Sequence, residues 1–398
     1  MAGILFLCLA SWLNCGFSWE SRIVKWDIFC NVVDNFGDIG VTWRLARQLV
    51  AEHGQSVRLW VDEPAAFAPL CPQADPEAES QWQHGVEIRH WRQDWQPVEA
   101  ADVVIEAFAC QLPDPYLTAM AARADKPHWL NLEYLSAEDW VAGCHGLPSF
   151  QANGLQKAFY FPGFIEGTGG LLRESGLVER RQAFLVDPDA RRTFLEELGV
   201  AHEEGALLIS LFAYENAALA GWLDILAAGD QPVQLLVPVG RVLADLADWL
   251  GEEQLTAGTG FRRGKLAIQV LPFVSQDDYD KILWCCDFNA VRGEDSFIRA
   301  QWAGKPLLWH IYQQEEGAHW DKLEAFLTLY CRDLSPAAAA ALAQSWRAWN
   351  KGEGMGEAWN ELLAQWSEIS LKAEQWCLLQ ASRADLATGL VQICTKPL

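Results

Sequence analysis

A charged turn between two apolar strands carries residue types that suit a phosphorylated ligand. Residues 291–306 read Val-Arg-Gly-Glu-Asp-Ser-Phe-Ile-Arg-Ala-Gln-Trp-Ala-Gly-Lys-Pro. This pattern predicts the end of a strand, a turn, and a helix that stops at Gly304. Backbone N–H groups, Arg292 and Ser296 would then meet at a helix N-terminus. The unpaired N–H groups and the helix dipole there both favour a diphosphate.

The two carboxylates of this turn call for a different explanation. A carboxylate beside a diphosphate repels it, so Glu294 and Asp295 are better explained as acceptors for sugar hydroxyls. Together with Arg292, they predict a nucleotide-sugar pocket. A salt-bridged surface turn is the alternative interpretation of the same charges.

A second candidate region is the turn after the first apolar strand, Asp-Asn-Phe-Gly-Asp-Ile-Gly at residues 34–40. Asp34 and Asp38 are four residues apart, and one of them could activate a nucleophile as a general base. Capping of the following helix, or stabilisation of the turn, is an equally direct explanation for Asp38. Gly37 and Gly40 would let the backbone approach a ligand closely.

Aromatic residues end three further apolar runs. Phe212 and Tyr214 follow one run, Phe273 ends another, and Tyr312 ends the last of the series. A base or a sugar could stack on such rings. A core position explains Phe212 equally well, but it explains Tyr214 less well because polar residues follow it.

These candidates need sheet edges to bring them together. Strand-like runs occur at residues 26–33, 57–62, 86–91, 102–108, 129–134 and 158–161, and again at 206–212, 233–239, 266–273, 287–291 and 307–312. Helical patterns occur at residues 41–53, 180–198, 217–228, 276–285 and 337–387. Two successive series of this kind predict an α/β protein with two Rossmann-like, doubly wound domains facing a cleft, and a helical C-terminal tail. Ligands of such domains bind at the carboxyl ends of the strands.

Composition excludes several classes of partner. The 398 residues carry a formal net charge of −23, with a pI of about 4.7, which argues against a nucleic-acid partner. A lipid-linked acceptor or membrane surface would favour a basic, amphipathic face that this acidic chain does not show. The eleven cysteines form no Cys-x-x-Cys pair, so we expect reduced thiols in a cytoplasmic protein, with no disulfide framework or zinc site.

The N-terminus is apolar over residues 4–19 but has no basic residue before Arg22. That pattern does not fit a signal peptide, and the stretch is too short to span a bilayer comfortably. We expect residues 1–24 to be a non-structural leader, with the fold beginning at Lys25. Secretion is the alternative.

Three blocks of sequence, residues 26–49, 271–280 and 292–302, resemble the EarP family of bacterial protein-arginine rhamnosyltransferases, which modify elongation factor P (EF-P). The resemblance runs from about Lys25 to the C-terminus. It implies a GT-B fold, dTDP-β-L-rhamnose as donor, and one arginine of EF-P as acceptor, which the modification activates. It also implies inversion at the sugar, with no cofactor or metal beyond the donor.

The resemblance also implies domains and site residues. Residues 25–205 would form the acceptor domain, completed by a helix at about 382–398, and residues 206–381 the nucleotide-sugar domain. The implied catalytic residues are Asp38, Asp34 and Glu294. The implied acceptor-side residues are Asn35, Phe36 and Gly37. The implied nucleotide contacts are Phe212, Tyr214, Phe273, Arg292, Asp295 and Ser296. From their positions in the sequence, we also expect Gly293 and Tyr312 at the nucleotide-sugar site.

A chemical hypothesis follows for these residues. A carboxylate cannot deprotonate a guanidinium in the ground state, so we expect Asp38 to orient one nitrogen and accept its proton late. Asp34 would hold the guanidinium or order the turn, and Glu294 would hold either the guanidinium or sugar hydroxyls. Arg292 would stabilise the departing dTDP. The alternative functions are a GT-B glycosyltransferase with a small-molecule or lipid acceptor, and a non-catalytic nucleotide-sugar-binding protein.

Overall fold

The computed structural model describes residues 24–34, 36–92 and 94–395. The proposed leader, except for Val24, therefore lies outside the described residues, as do positions 396–398 of the predicted final helix. The strands are β1 Lys25–Cys30, β2 Ser56–Val61, β3 Ser80–Gln83, β4 Val86–His90, β5 Val103–Ala107, β6 His128–Leu132, β7 Pro148–Phe150, β8 Gln156–Tyr160, β9 Leu207–Leu211, β10 Val233–Pro238, β11 Gly260–Arg263, β12 Leu266–Leu271, β13 Phe288–Arg292 and β14 Leu307–His310.

The helices surround these strands. They are α1 Gly37–His53, α2 Pro64–Phe67, α3 Asp114–Ala122, α4 Val141–Cys144, α5 Leu177–Val186, α6 Pro188–Glu197, α7 Leu219–Ala228, α8 Leu243–Leu250, α9 Gln276–Cys285, α10 Asp295–Ala303, α11 Ala318–Tyr330, α12 Pro336–Lys351, α13 Met355–Ala364, α14 Trp366–Ala381 and α15 Leu386–Thr395.

Two separate sheets are present, and both are doubly wound. The first has the order β3-β4-β2-β1-β5-β6-β8-β7, and the second has the order β11-β12-β10-β9-β13-β14. Both are parallel apart from antiparallel strands at their edges, which are β3, β7 and β11. The strand order reverses between β1 and β5 in the first sheet and between β9 and β13 in the second. A crevice opens at such a reversal, so each sheet offers a ligand site there.

The predicted α/β class and the predicted parallel strands are confirmed, and three local differences have clear causes. Helix α1 begins at Gly37, so Asp38 lies in its first turn instead of before it. The predicted helix at 180–198 is two helices, because Pro188 begins the second with Asp187 as its N-cap. The short antiparallel edge strands are polar and exposed, and apolar patterning does not reveal them.

Buried charges join the two halves of the molecule. The side chain of Arg44, on α1, is fully buried and lies 3.2 Å from Asp280 Oδ1 of α9 and 3.0 Å from Asp295 Oδ1 of α10. Glu174 bridges Arg44 and Arg299, at 3.4 and 2.8 Å. This five-residue set is called the interdomain ion cluster below. It fixes the helix that follows β1 against the helix that follows β13. Among the residues described, no helix is both long and apolar enough to cross a bilayer.

Candidate active site

The predicted site residues that the structure describes converge where the strand-order reversals of the two sheets face each other. Asp34 follows β1 of the first sheet, whereas Tyr214 follows β9 of the second. Arg292 ends β13, and Gly293 and Glu294 form the turn into α10. The positions that sequence patterning placed at two sheet edges therefore form one cleft.

Asp34 lies at the centre of this cleft. One carboxylate oxygen is 3.2 Å from Arg292 Nη1, and the other accepts the Tyr214 hydroxyl hydrogen at 2.6 Å. Two glycines make room for it, since a Cβ at Gly37 or Gly293 would approach Asp34 Oδ2 to 2.7 or 2.8 Å. Gly293 also has φ of 60°, a conformation that favours glycine.

The guanidinium of Arg292 is held between two aromatic rings. It lies 4.7 Å from the Phe212 ring centroid and 4.6 Å from that of Tyr214. The side chain is buried, and its Nε has no hydrogen-bond partner among the described residues. Burial raises the pKa of the Tyr214 hydroxyl, which keeps it protonated as a donor to Asp34.

A pocket of about 620 Å³, with four aromatic side chains in its wall, lies on one side of Asp34. Phe36 and Phe273 meet across it, with ring centroids 5.1 Å apart. The Ser296 hydroxyl bonds to the backbone of Arg292 and so fixes the strand-to-helix turn. The pocket, called the aromatic pocket below, is lined by Asp34, Phe36, Gly37, Arg44, Leu70, Phe212, Pro238, Val239, Phe273, Val274, Gln276, Tyr279, Arg292, Asp295 and Ser296. Arg292 beside the aromatic rings of this pocket suits a nucleoside diphosphate.

A second pocket, of about 770 Å³, lies on the other side of Asp34 and is called the acidic pocket below. It shares Asp34 and Gly37 with the aromatic pocket. Its further lining residues are Val33, Asp38, Tyr134, Leu135, Gly293, Glu294, Trp309, Ile311, Tyr312, Gln314 and Lys322. Three carboxylates in one pocket suit a cationic group or a set of hydroxyls.

Asp38 holds the turn instead of capping the helix. Its Oδ2 accepts the backbone N–H groups of Val33 and Asp34, both at 2.9 Å, and its Oδ1 is 3.3 Å from the Tyr134 hydroxyl. The N-cap position of α1 is Phe36, which makes no side-chain capping bond. Burial raises the pKa of Asp38 above its usual range, although the two N–H groups oppose this.

Glu294 is the most perturbed carboxyl in the acidic pocket. Its Oε2 accepts the N–H of Leu135, in the loop after β6 of the first sheet, at 2.9 Å. Its Oε1 has no hydrogen-bond partner among the described residues. Burial raises the pKa of Glu294 to about 8, and the nearby Asp38 carboxylate adds to this. Glu294 lines the acidic pocket, so its unpartnered oxygen is available to hydrogen-bond a substrate.

The remaining predicted positions have different surroundings. Asp295 lines the aromatic pocket but pairs with Arg44, so its carboxylate already has a cationic partner. Burial raises the pKa of Asp295, while Arg44 and Arg299 oppose that effect. Tyr312 is 39% exposed at the rim of the acidic pocket, 5.7 Å from the Tyr214 ring. Asn35 lies outside the described residues.

The residues of the acidic pocket that sequence patterning missed include Tyr134 and Lys322. Tyr134 follows β6, and its position after a strand was a usable signal. Lys322 lies within α11, where nothing in the local pattern distinguishes it from a surface lysine.

Comparison with known proteins identifies the family of the chain. The family model described as "Elongation-Factor P (EF-P) rhamnosyltransferase EarP" matches residues 26–395. The protein-arginine rhamnosyltransferase of Pseudomonas putida is 64% identical over 366 residues, which cover 92% of this chain and 97% of that protein. The protein of the same description from Pseudomonas aeruginosa is 60% identical over 370 residues, covering 93% and 98%.

Solved structures support the fold. One described as "Structural basis for EarP-mediated arginine glycosylation of translation elongation factor EF-P" is 47% identical, with a TM-score of 0.70 over 94% of this chain and 100% of that one. A UDP-glucosyltransferase from Polygonum tinctorium is 10% identical with a TM-score of 0.51, covering 94% and 98%, which shows likeness of fold alone. The GT-B fold and the predicted resemblance are thereby confirmed, and the chain belongs to the EarP family of EF-P rhamnosyltransferases.

Proposed function

We propose that this enzyme transfers L-rhamnose from dTDP-β-L-rhamnose to the side chain of one arginine of EF-P, with inversion, and thereby activates EF-P. The observation that carries the proposal is the junction of the two pockets at Asp34 and Gly37. A donor in the aromatic pocket would place its sugar at this junction. A cationic acceptor in the acidic pocket would reach the sugar from the opposite side.

The donor's nucleotide fits the aromatic pocket by chemistry. A thymine ring can stack against the side chains of Phe36, Phe273 or Phe212. The diphosphate would lie at the N-terminus of α10, where helix N–H groups and Arg292 oppose its charge. Arg292 would then bind phosphate with its unpaired Nε–H. Developing negative charge on the departing dTDP is stabilised by the same groups.

The acceptor arginine fits the acidic pocket by charge. Its guanidinium stays protonated in water, so carboxylates must bind it and take one proton during reaction. Asp38 is the base in this scheme, because its Oδ1 has only a long bond from Tyr134. Glu294 offers the unpaired Oε1 as a second acceptor. Asp34 keeps Arg292 and the turn in place.

The proposed step is a single displacement. A guanidinium nitrogen attacks the anomeric carbon from the face opposite the diphosphate, and a C–N bond forms as the C–O bond to dTDP breaks. The electron pair of the broken bond leaves with dTDP, and the nitrogen's proton passes to Asp38. Attack from the opposite face converts the β-linkage into an α-linkage. No cofactor or metal enters this scheme.

The proposed setting is the cytoplasm. Nine cysteines in the described part of the chain are free thiols, including the buried Cys30, Cys285 and Cys286. Reduced thiols are typical of cytoplasmic proteins. The net charge of −23 would steer a basic acceptor loop towards the cleft, so we propose EF-P and the dTDP-sugar as partners, without nucleic acid or membrane.

The test is the intact mass of purified EF-P after incubation with this enzyme and dTDP-β-L-rhamnose. We expect a gain of one deoxyhexose, located on a single arginine by peptide fragmentation. A parallel reaction with UDP-glucose is the donor control and should give no gain. Unmodified EF-P, under conditions where dTDP-rhamnose binds the enzyme by calorimetry, would contradict the acceptor assignment.

A further inference from the structure

An unusual turn supports one wall of the acidic pocket. Directly after β5, the non-glycine residues Phe108 and Ala109 have φ of 57° and 56°, in the left-handed region. The Phe108 N–H donates to Leu132 O at 2.7 Å, and the Ala109 N–H donates to Asn131 Oδ1 at 3.1 Å. Such backbone conformations are costly and concentrate at functional sites.

The turn presses one ring against another. Phe108 stacks on Tyr134, with centroids 4.5 Å apart and planes inclined by 18°. One face of Tyr134 is therefore covered, and the Lys322 ammonium lies over the ring, 5.3 Å from its centroid. Because Phe108 covers one face, the ammonium takes the other. Among the residues that line this pocket in the described chain, Lys322 alone is cationic.

The position of this ring face matters for the chemistry. The Tyr134 hydroxyl is 3.3 Å from Asp38 Oδ1, so a cation on the ring lies beside the proposed base. A planar guanidinium stacks on an aromatic ring better than an ammonium does, since it is flat and more weakly hydrated. An arginine side chain would thus compete with Lys322 for the same place.

We propose that the open face of Tyr134 is the cation subsite for the acceptor guanidinium, and that Lys322 fills it until the acceptor enters. This inference rests on the proposed function. The exchange replaces one positive charge by another, so the charge balance of Asp34, Asp38 and Glu294 is kept. The outgoing ammonium moves towards solvent on its flexible stem. Preference for arginine over lysine follows from the flat ring.

Replacement of Lys322 tests the exchange. We measure KM for EF-P and kcat at saturating donor and pH 9, above the pKa of Glu294. Lys322→Met should lower KM about three- to tenfold, as expected for removing one partly screened cation, with the difference shrinking at high salt. Lys281→Met is the matched control, because Lys281 lies 5.3 Å from the Phe194 ring and outside both pockets. An unchanged or higher KM in Lys322→Met would overturn the proposal.

The pH profile is a second readout that a purely structural lysine would not move. The groups facing Glu294 are Asp38 of α1, the Leu135 N–H, Asp295 of α10 and Lys322 of α11. We expect kcat/KM to rise with pH as Glu294 loses its proton and can bind the guanidinium as an anion. Lys322 lowers the pKa of Glu294, so Lys322→Met should move that rise to higher pH. A rise at unchanged pH would contradict a position of Lys322 within this pocket.

Two variants of Tyr134 separate the ring from its hydroxyl. Tyr134→Phe keeps the aromatic face and Tyr134→Leu removes it, so KM for EF-P should be about tenfold higher in Tyr134→Leu than in Tyr134→Phe. Equal KM values in these two variants would overturn the proposal, provided donor binding and thermal unfolding are unchanged. If the parent enzyme fails to modify EF-P, the proposed function fails separately. The subsite is then tested with methylguanidinium, whose binding by NMR should be stronger to Lys322→Met than to the parent.

Discussion

Tyr214 donates its hydroxyl hydrogen to Asp34 over 2.6 Å, although the two residues are 180 positions apart and follow strands of different sheets. Arg292 holds the other oxygen of the same carboxylate. One side chain of the first sheet is thereby bound by two of the second, at the boundary between the two pockets. Any relative movement of the halves at this point would disturb this arrangement.

A double-mutant cycle measures this relationship. Tyr214→Phe should reduce kcat/KM about tenfold, and Asp34→Asn should reduce it further because buried Arg292 loses its ion pair. Removing both should cost less than the sum, with a coupling energy of about 1–3 kcal/mol. Strictly additive effects on kcat/KM would show that the bond seen here is not used in the reaction.

Asp38→Asn tests the proposed base. The amide oxygen can still accept the Val33 and Asp34 N–H groups, so the turn should survive. Loss of a proton acceptor should lower single-turnover transfer by about 100-fold or more, with donor affinity unchanged. Rapid-quench kinetics with calorimetry of dTDP binding is the measurement. Near-normal transfer in this variant would remove Asp38 from the mechanism.

Gly293→Ala tests how closely the site is packed. A Cβ would lie 2.8 Å from Asp34 Oδ2 and 3.1 Å from the Tyr214 hydroxyl, at φ of 60°. We expect transfer to fall about tenfold or more, beyond the roughly 1 kcal/mol that alanine costs in this conformation. Gly251→Ala is the matched control, because Gly251 has φ of 78° with no atom within 4 Å. Similar activity in the two variants would contradict this explanation.

The raised pKa of Glu294 predicts a pH-dependent cost in stability. The folded state keeps the proton up to about pH 8, whereas an unfolded glutamate loses it near its ordinary pKa of 4.5. The stabilisation of the folded state by protonated Glu294 is therefore complete below pH 4.5 and is lost as pH rises towards 8. Glu294→Gln, which stays neutral, should be more stable than the parent at pH 8 by roughly 2–4 kcal/mol and nearly equal at pH 4.5. Urea unfolding at the two pH values decides this; equal differences at both would contradict it.

Arg44→Met tests the interdomain ion cluster. Removing the guanidinium leaves Asp280 buried with one cation fewer and deprives Asp295 of its ion-pair partner, which should cost about 3–5 kcal/mol. Arg47→Met removes a half-exposed ion pair with Asp277 on the same two helices and should cost under about 1 kcal/mol. The comparison of urea midpoints is the measurement. Equal midpoints would mean that solvent reaches the cluster.

Local pattern predicted the elements that bury continuous apolar runs. Strand β9, Leu-Leu-Ile-Ser-Leu, and strand β13 were found because nearly every side chain in them is buried. Strand β3, Ser-Gln-Trp-Gln, has a mostly polar sequence and forms by pairing with β4 at the sheet edge. Pairing of that kind depends on the neighbouring strand and cannot be read from four residues.

In the candidate site, too, local sequence predicts some residues but not those that depend on distant partners. Asp34, Asp38 and Arg292 stand at strand-to-helix junctions whose chemistry the sequence indicates directly. The partner of Asp295 is Arg44, 251 positions away, and no local sequence feature of either residue indicates the pair. Lys322 reaches the acidic pocket only because α11 packs beside it. Asp295 obtains its cationic partner through the tertiary fold, and the pattern of charges along the sequence does not predict that pair.

The final helix sets the order in which the chain can be completed during synthesis. Leu386 and Leu390 of α15 pack into the same apolar cluster as Trp26 and Ile28 of β1, and the Leu386 N–H donates to Leu171 O at 3.0 Å. The ribosome makes β1 long before α15. The apolar surface of the first sheet that α15 covers therefore stays exposed until the whole second half of the chain has been made. A nascent chain arrested before α15 would expose that surface to chaperones.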